Sequence, residues 1–360
     1  MRRIALLSLL CIAAGGAFGC GAVIHPSAGK PLAPEAAAYI DSVFVLMEEH
    51  ELADGPIDWE QLHRETLYRA GGARTSDDTH KAVEWALRRV NPHSSLLLPD
   101  KWADMERRWR EKPNYPTGRM LNGGIAYITL PGFASQMDEL ILQYALEGQQ
   151  LLRTFRDSGA CAWIVDLRRN SGGNMYPMLV AIGPLIGDGN AGFFRAGSGL
   201  IKPWGYARGV SWLGTDTVVR LPPSKPPVPT IVAPVALLTG PLTASSAEAI
   251  VAAFSGVANS RSFGSPTAGF STGNTGYRLN DGATVMLTEL VLGDRTGREY
   301  GQRIRPDFVV GGSIWNMFAD ADDPITTTAA AQWLRHTDEC KARGRAPTKA
   351  APPKAQVTVH

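Results

Sequence analysis

Residues 162–174 read AWIVDLRRNSGGN, and residues 235–248 read VALLTGPLTASSAE. Each stretch opens with a nearly continuous apolar run, which is typical of a strand buried on both faces of a sheet. Each run then passes through a glycine-bearing turn into a helical segment. A third run of this kind occupies residues 124–130, and helical runs separate the strands. This alternation of strand and helix predicts an α/β layer.

The segment before this layer is predicted to be a small helical unit. Between Pro34 and about Val90, apolar residues recur at the i, i+3, i+4 spacing of an amphipathic helix. Pro92 ends the last of these helices and leaves His93 on the loop that follows. Residues 187–229 carry many Gly and Pro and few helix signals, so we expect loops or hairpins there.

The composition excludes several classes of protein. The 360-residue chain carries 36 Lys and Arg against 34 Asp and Glu, which gives a formal net charge of +2. With 44% hydrophobic and 19% charged residues, it does not resemble a disordered chain. The charge is nearly balanced, so the chain lacks the excess of positive charge that binds nucleic acid. We do not expect nucleic acid as a partner. No Cys or His spacing indicates a metal site, and we expect neither a metal nor a cofactor.

Both ends of the chain differ from its body. Residues 1–19 have the layout of a secretory signal, with two arginines, an apolar run and then small residues. The alternative, a transmembrane anchor, requires a longer apolar run. Residues 17–20, AFGC, also resemble a bacterial lipoprotein cleavage box, which makes Cys20 a candidate for lipidation and membrane tethering. Residues 341–360 are predicted to form a disordered basic tail. We therefore expect export to the periplasm or the outer face of the envelope.

Two cysteines remain beyond the amino-terminal segment, Cys161 and Cys340. One lies next to an apolar run and the other lies near the tail. The sequence allows a bridge between them, but two unrelated cysteines are the preferred interpretation.

The two strand-to-turn junctions are the places where chemistry is predicted. Gly172 and Gly173 can turn backbone N–H groups outward, as the donors of an oxyanion site require. Ser245 stands at a helix N-terminus, where unpaired N–H groups stabilise developing negative charge, and the N–H of Ser246 is a further candidate donor. Taken alone, the first junction is better explained as a plain tight turn before a helix, and the second as serines that cap a helix. Together they offer a nucleophile and separate oxyanion donors.

Five motifs in this order resemble the tail-specific (C-terminal processing) serine peptidases, peptidase family S41. They are GGIAYI at 123–128, DLRRNSGG at 166–173, TASSAE at 243–248, GSPTAG at 264–269 and IRPD at 304–307. The resemblance implies a ClpP/crotonase-like α/β core over residues 118–312 and a helical N-terminal domain over residues 33–99. It also implies that Ser245 is the nucleophile and that the substrate is a protein or peptide.

The sequence departs from the family pattern in two places. The processing peptidases carry a catalytic lysine 25 residues after the serine, where this chain has Phe270. They also carry a PDZ domain, which cannot fit into the roughly two dozen residues between Pro99 and Gly123. A serine without a base is a weak nucleophile, so another residue must supply the base.

His93 is the candidate base. Its loop is similar to that of the tricorn-like branch of the family, where a histidine activates the serine, and the ordinary histidine pKa of about 6.5 suits this role. The same resemblance makes Glu299 the candidate for the third, orienting member of the site, with Asp294 as a rival. The alternative is that His93 only orders the loop after the helix.

The sequence leaves three functions to compare. The first is an exported serine peptidase that acts through Ser245, His93 and Glu299. The second is an S41-fold protein with a decayed site that binds peptides or envelope components, which the missing lysine motivates. The third, a crotonase-like enzyme that acts on acyl-CoA, is disfavoured because the serine motif and the export signal have no place in it. The oligomeric state is not predicted.

Overall fold

A computed structural model describes residues 29–310 and 324–344 of the chain. The predicted signal over residues 1–19, the candidate lipidation site Cys20 and residues 345–360 of the predicted tail lie outside the described residues. The helices are α1 (Pro34–His50), α2 (Trp59–Arg69), α3 (His80–Val90), α4 (Pro99–Glu111), α5 (Asp138–Asp157), α6 (Met175–Ile186), α7 (Ser246–Ala253), α8 (Pro324–Arg335) and α9 (Asp338–Gly344).

The strands form two sheets. They are β1 (Ser95–Leu97), β2 (Thr117–Leu121), β3 (Ile125–Thr129), β4 (Ala162–Asp166), β5 (Gly189–Ala196), β6 (Ile201–Ala207), β7 (Val210–Leu213), β8 (Asp216–Arg220), β9 (Val235–Thr239), β10 (Ser260–Gly264), β11 (Thr272–Arg278), β12 (Thr284–Asp294) and β13 (Phe308–Val309). The first sheet has the order β13-β10-β9-β4-β3-β2, and the second has the order β1-β12-β5-β6-β7-β8, with β11 also paired to β12.

The first sheet is the predicted α/β layer. Strands β3, β4, β9 and β10 are parallel, and their central members are buried on both faces. In β4, Trp163 and Val165 pack into a core with α5, α6 and α7. The alternate residues Ala162 and Ile164 pack on the other face with residues of α8. Because successive strand side chains point to opposite faces, an unbroken apolar run serves both cores, and the α/β fold class is confirmed.

The second sheet contains the predicted hairpins. Strands β5 to β8 run antiparallel to one another within residues 189–220. Strand β12 joins this meander to β11 and to β1, the short strand that follows the His93 loop.

The helical unit packs on this second sheet. Residues of α1 and α3, among them Val43 and Leu87, share one core with Val285 and Leu287 of β12. The position of His93 is therefore set by α3 on one side and by β1 on the other. The domain boundaries at residues 33–99 and 118–312 stay predictions.

A disulfide joins Cys161 to Cys340, with 5.1 Å between their Cα atoms. The preference for two unrelated cysteines was wrong. Helix α8 covers one face of the first sheet and α9 turns back towards the start of β4, so residues separated by 179 positions become neighbours. Among the described helices, none combines the length and the apolar character that crossing a membrane would require.

We expect the disulfide to stabilise the fold because it closes a long loop of the unfolded chain. Reduction should lower the free energy of unfolding by about 2 to 4 kcal/mol. Urea unfolding of the oxidised and reduced protein measures this difference. The control is the double variant Cys161→Ser/Cys340→Ser. It should have the free energy of unfolding of the reduced protein, and the reductant should not change that value. A wild-type transition that the reductant leaves unmoved would contradict the expectation.

Candidate active site

Two neighbouring parallel strands, β4 and β9, bring the two glycine-bearing junctions to one edge of the sheet. The junctions also bond directly to each other. The N–H of Ala244 donates to the carbonyl of Asn170 at 3.0 Å, and the Thr243 hydroxyl donates to the carbonyl of Leu167 at 2.9 Å. The turn after β4 and the serine after β9 are therefore held as one unit.

Ser245 has a strained backbone at the start of α7. Its φ of 54° and ψ of −117° lie where residues other than glycine are rare. Such strain persists where the surrounding structure enforces it, and it is common at functional sites. The neighbouring Ser246 is held differently, because its hydroxyl donates to the carbonyl of Gly173.

The structure places His93 against Ser245. The Nε2 atom of His93 lies 3.0 Å from the Ser245 Oγ, and the Nδ1 atom lies 2.6 Å from the Oγ1 of Thr272. The backbone of His93 is fixed as well, since its N–H donates to Asn91 Oδ1 at 3.0 Å and its carbonyl accepts from Asn274 Nδ2 at 2.9 Å. Both ring nitrogens thus have hydroxyl partners in a loop held on both sides.

Phe270 stacks on the imidazole of His93, with 5.0 Å between ring centroids and 18° between planes. The position at which the family resemblance implied a lysine thus presents an apolar face to the histidine. Burial of His93 lowers its pKa to about 4, because a low-dielectric environment disfavours the charged imidazolium. The imidazole is therefore neutral at neutral pH.

Glu248 is fully buried beneath the serine. Its carboxylate accepts the Ser245 N–H at 2.8 Å, the Gly269 N–H at 3.0 Å and the Thr267 hydroxyl. Burial raises the pKa of Glu248, and these hydrogen bonds act in the opposite direction. The carboxylate links the start of α7 to the loop that carries Phe270.

The predicted oxyanion donors are not equivalent. The Gly172 N–H donates to Asn170 Oδ1 at 2.9 Å, so it is already engaged and its prediction as a donor needs correction. Gly172 has another role, since a Cβ on it would lie 2.8 Å from the Ser245 Cβ. Within residues 29–310 and 324–344, the N–H groups of Gly173 and Ser246 donate to no protein acceptor. These two groups are free to receive a ligand oxygen.

The structure does not bring Glu299 to His93. Both carboxylate oxygens of Glu299 accept from Arg195 of β5, at 2.6 and 2.7 Å, in a partly exposed ion pair. The rival Asp294 accepts from the hydroxyls of Thr296 and Tyr300 in its own turn. Thr272 holds the place expected for the carboxylate. It belongs to none of the five motifs, so only the pairing of β11 with β12 beside the His93 loop could have indicated it.

Away from this site, one group of described residues offers metal-ligand atom types. Asp77, His80 and Asp281 have one such atom each within 4.8 Å of the others. His80 Nε2 contacts Asp281 directly at 2.8 Å. This hydrogen bond accounts for the cluster as a link between α3 and the β11–β12 hairpin.

The chain is similar in sequence to a known peptidase family and to a known protein. The model of peptidase family S41 matches residues 124–310, just over half of the chain. The nisin-resistance protein of Lactococcus lactis subsp. lactis is 26% identical over 268 residues, which cover 74% of this chain and 80% of that protein.

Solved structures share the fold. A lipoprotein from Streptococcus agalactiae superposes with a TM-score of 0.65 at 24% identity, over 85% of this chain and 98% of that one. The photosystem II D1 C-terminal processing protease gives a TM-score of 0.52 at 13% identity, over 85% of this chain and 98% of that one. With the family match, the shared fold and the strand-turn-serine arrangement, the chain belongs to peptidase family S41 and is a serine-type peptidase.

Proposed function

We propose that this peptidase cleaves peptide bonds through an acyl-enzyme on Ser245, with His93 as the general base in place of the family lysine. The observation that carries the proposal is the 3.0 Å contact between His93 Nε2 and the Ser245 Oγ. This distance lies within the range over which a general base accepts a proton directly.

The proton on the imidazole is best placed on Nδ1. In that tautomer the Nδ1–H donates to Thr272 Oγ1, and the lone pair of Nε2 faces the Ser245 hydroxyl. Thr272 acts as a positioning residue, because its hydroxyl orients the ring without touching the reacting atoms. A neutral hydroxyl stabilises the imidazolium less than a carboxylate would.

In the first half of the reaction, the Ser245 Oγ bonds to the substrate carbonyl carbon while its proton passes to His93 Nε2. The resulting oxyanion accepts hydrogen bonds from the N–H groups of Gly173 and Ser246 at the N-terminus of α7, where the helix dipole also favours negative charge. His93 then returns the proton to the leaving amine as the C–N bond breaks. In the second half, a water molecule gives a proton to His93 while its oxygen bonds to the acyl carbon. The bond between that carbon and the Ser245 Oγ then breaks, and His93 returns the proton to Oγ, which releases the acid product and restores the serine.

The proposal places the peptidase outside the cytoplasm. The Cys161–Cys340 disulfide supports this, since disulfides persist mainly in oxidising compartments. The layout of residues 1–20 and the description of the streptococcal structure as a lipoprotein support an envelope location with Cys20 as the lipid tether. The match to peptidase family S41 supports a protein or peptide substrate.

One observation favours the second candidate function, a decayed site that only binds peptides or envelope components. Phe270 replaces the lysine, and no carboxylate contacts His93 among the described residues. Cleavage measurements separate the two functions.

Ser245→Ala should lower kcat/KM for an unstructured polypeptide at least about a thousandfold, because the nucleophile is lost. His93→Ala should lower it nearly as far, since the two side chains act as a unit. The measurement is cleavage followed by mass spectrometry, with thermal unfolding to confirm that both variants keep the wild-type transition. Full activity of Ser245→Ala would contradict the proposal. Inactive wild-type protein that still binds the polypeptide would favour the decayed site.

The acid limb of the pH dependence should lie unusually low. The pKa of His93 is lowered to about 4, so the neutral, proton-accepting form persists as the pH falls below the ordinary histidine pKa of about 6.5. We expect kcat/KM to stay level from neutral pH down to about pH 5 and to fall as the pH approaches 4. The residual rate of His93→Ala should lack this inflection. An inflection near pH 6.5 in the wild-type profile would show that burial does not tune His93.

A further inference from the structure

The outer edge of β11 begins beside the proposed active site. Thr272, the first residue of this strand, contacts His93 Nδ1, and Asn274 donates to the His93 carbonyl. One imidazole ring therefore separates the start of β11 from the Ser245 hydroxyl. Among the described strands, β11 pairs with β12 alone.

The hydrogen-bond pattern at the β11–β12 hairpin shows which backbone groups face outward. The Leu279 N–H donates to the carbonyl of Ala283 at 2.8 Å. In an antiparallel pair, bonded and non-bonded residue pairs alternate along the strand. Tyr277 and Thr275 therefore bond to β12, whereas Gly276 turns its N–H and C=O away from it.

The hydrogen bonds of β12 independently indicate the same alternation of inward and outward backbone groups along β11. Thr288 lies opposite Asn274. Its N–H donates to Glu51 Oε1 and Ser94 Oγ, and its carbonyl accepts from the Leu52 N–H. Both backbone groups of Thr288 thus point away from β11, so Asn274 also presents its N–H and C=O to the outside.

This edge is open in the part of the chain that the structure describes. The outward N–H and C=O groups of Asn274, Gly276 and Arg278 have no hydrogen-bond partner among residues 29–310 and 324–344, and Gly276 and Arg278 are exposed. An unpaired strand edge is a template for another extended chain. A glycine in such an edge allows a second backbone to approach closely.

We propose that an extended segment of the polypeptide substrate pairs with β11 along Asn274–Arg278 as an additional strand. This inference rests on the proposed function and specifies its substrate class as unfolded or extended polypeptide. Pairing of this kind takes its affinity from main-chain hydrogen bonds, and a folded domain has few free backbone groups to offer. The strand leads directly to Thr272 and His93, so a segment bound there is carried towards Ser245.

Two variants of Gly276 separate the loss of its outward N–H from the effect of adding a side chain. Gly276→Pro removes the outward N–H and leaves the ladder to β12 intact, since only outward groups are lost. Proline also restricts the preceding residue to extended conformations, which Thr275 already has in the strand. Gly276→Ala is the matched control. Its Cβ meets the same neighbours, Met286 Sδ at 3.1 Å and Thr284 Cγ2 at 3.2 Å, but it keeps the N–H.

The test measures binding without cleavage. Both substitutions are made in the Ser245→Ala background, and the anisotropy of fluorescein-labelled β-casein, an unfolded polypeptide, gives the Kd. Gly276→Pro should bind about tenfold more weakly than Gly276→Ala, as expected for a lost hydrogen bond. Equal Kd values, or no binding by Gly276→Ala, would overturn the inference. So would a loss of self-association in Gly276→Pro with unchanged casein binding, since that would assign the edge to a second copy of the chain.

Two further measurements keep the outcomes distinct. If Gly276→Pro does not fold, the binding of two peptides to the Gly276→Ala protein is compared. One peptide is N-methylated at alternate residues, which removes backbone N–H donors, and the other is unmodified; equal affinity would overturn the inference.

Reaction of the wild-type Ser245 with a fluorophosphonate reports separately on the proposed function. Its absence would refute the acyl-enzyme, while the anisotropy would still decide whether β11 binds a chain.

Discussion

Glu248 carries the constraint on which the site depends. It is fully buried, and a buried carboxylate is tolerated only where hydrogen bonds replace its lost hydration. The backbone of Ser245 and the loop of Thr267 and Gly269 supply these bonds. The same loop leads into Phe270, which stacks on His93. One carboxylate therefore couples the strained serine to the residue that packs against the proposed base.

No charged side chain among the described residues contacts the imidazole of His93, and burial keeps the ring neutral. A Ser-Lys pair relies on an amine, and a Ser-His-Asp triad relies on a carboxylate behind the imidazole. Here the imidazole lies between an aromatic ring and two hydroxyls, and its pKa is lowered to about 4. Such a base is always neutral at physiological pH, but it is weak. The catalytic gain must then come largely from orientation and from the N–H groups that receive the oxyanion.

Much of the core was predictable because the local signals were strong. Continuous apolar runs predicted β4 and β9, and their parallel pairing brings the two turns together. Pro92 predicted the loop of His93, which the structure places against Ser245.

What the sequence could not provide were contacts between distant segments. The Cys161–Cys340 bridge spans 179 positions, and Thr272 reaches His93 from 179 positions away. No local pattern encodes either contact. The same reason applies to Glu299, which the structure does not bring to His93. Its prediction rested on the register of a motif, and no local pattern indicates that Arg195 of β5 pairs with its carboxylate.

The central claim is that His93 activates Ser245. Its most direct test is the rate of covalent labelling of the wild-type protein by a small fluorophosphonate, with the modified residue mapped by mass spectrometry. We expect a label on Ser245 and none on Ser246, and a labelling rate at least about a hundredfold lower in His93→Ala. An unlabelled Ser245, or one that reacts equally fast without His93, would contradict it.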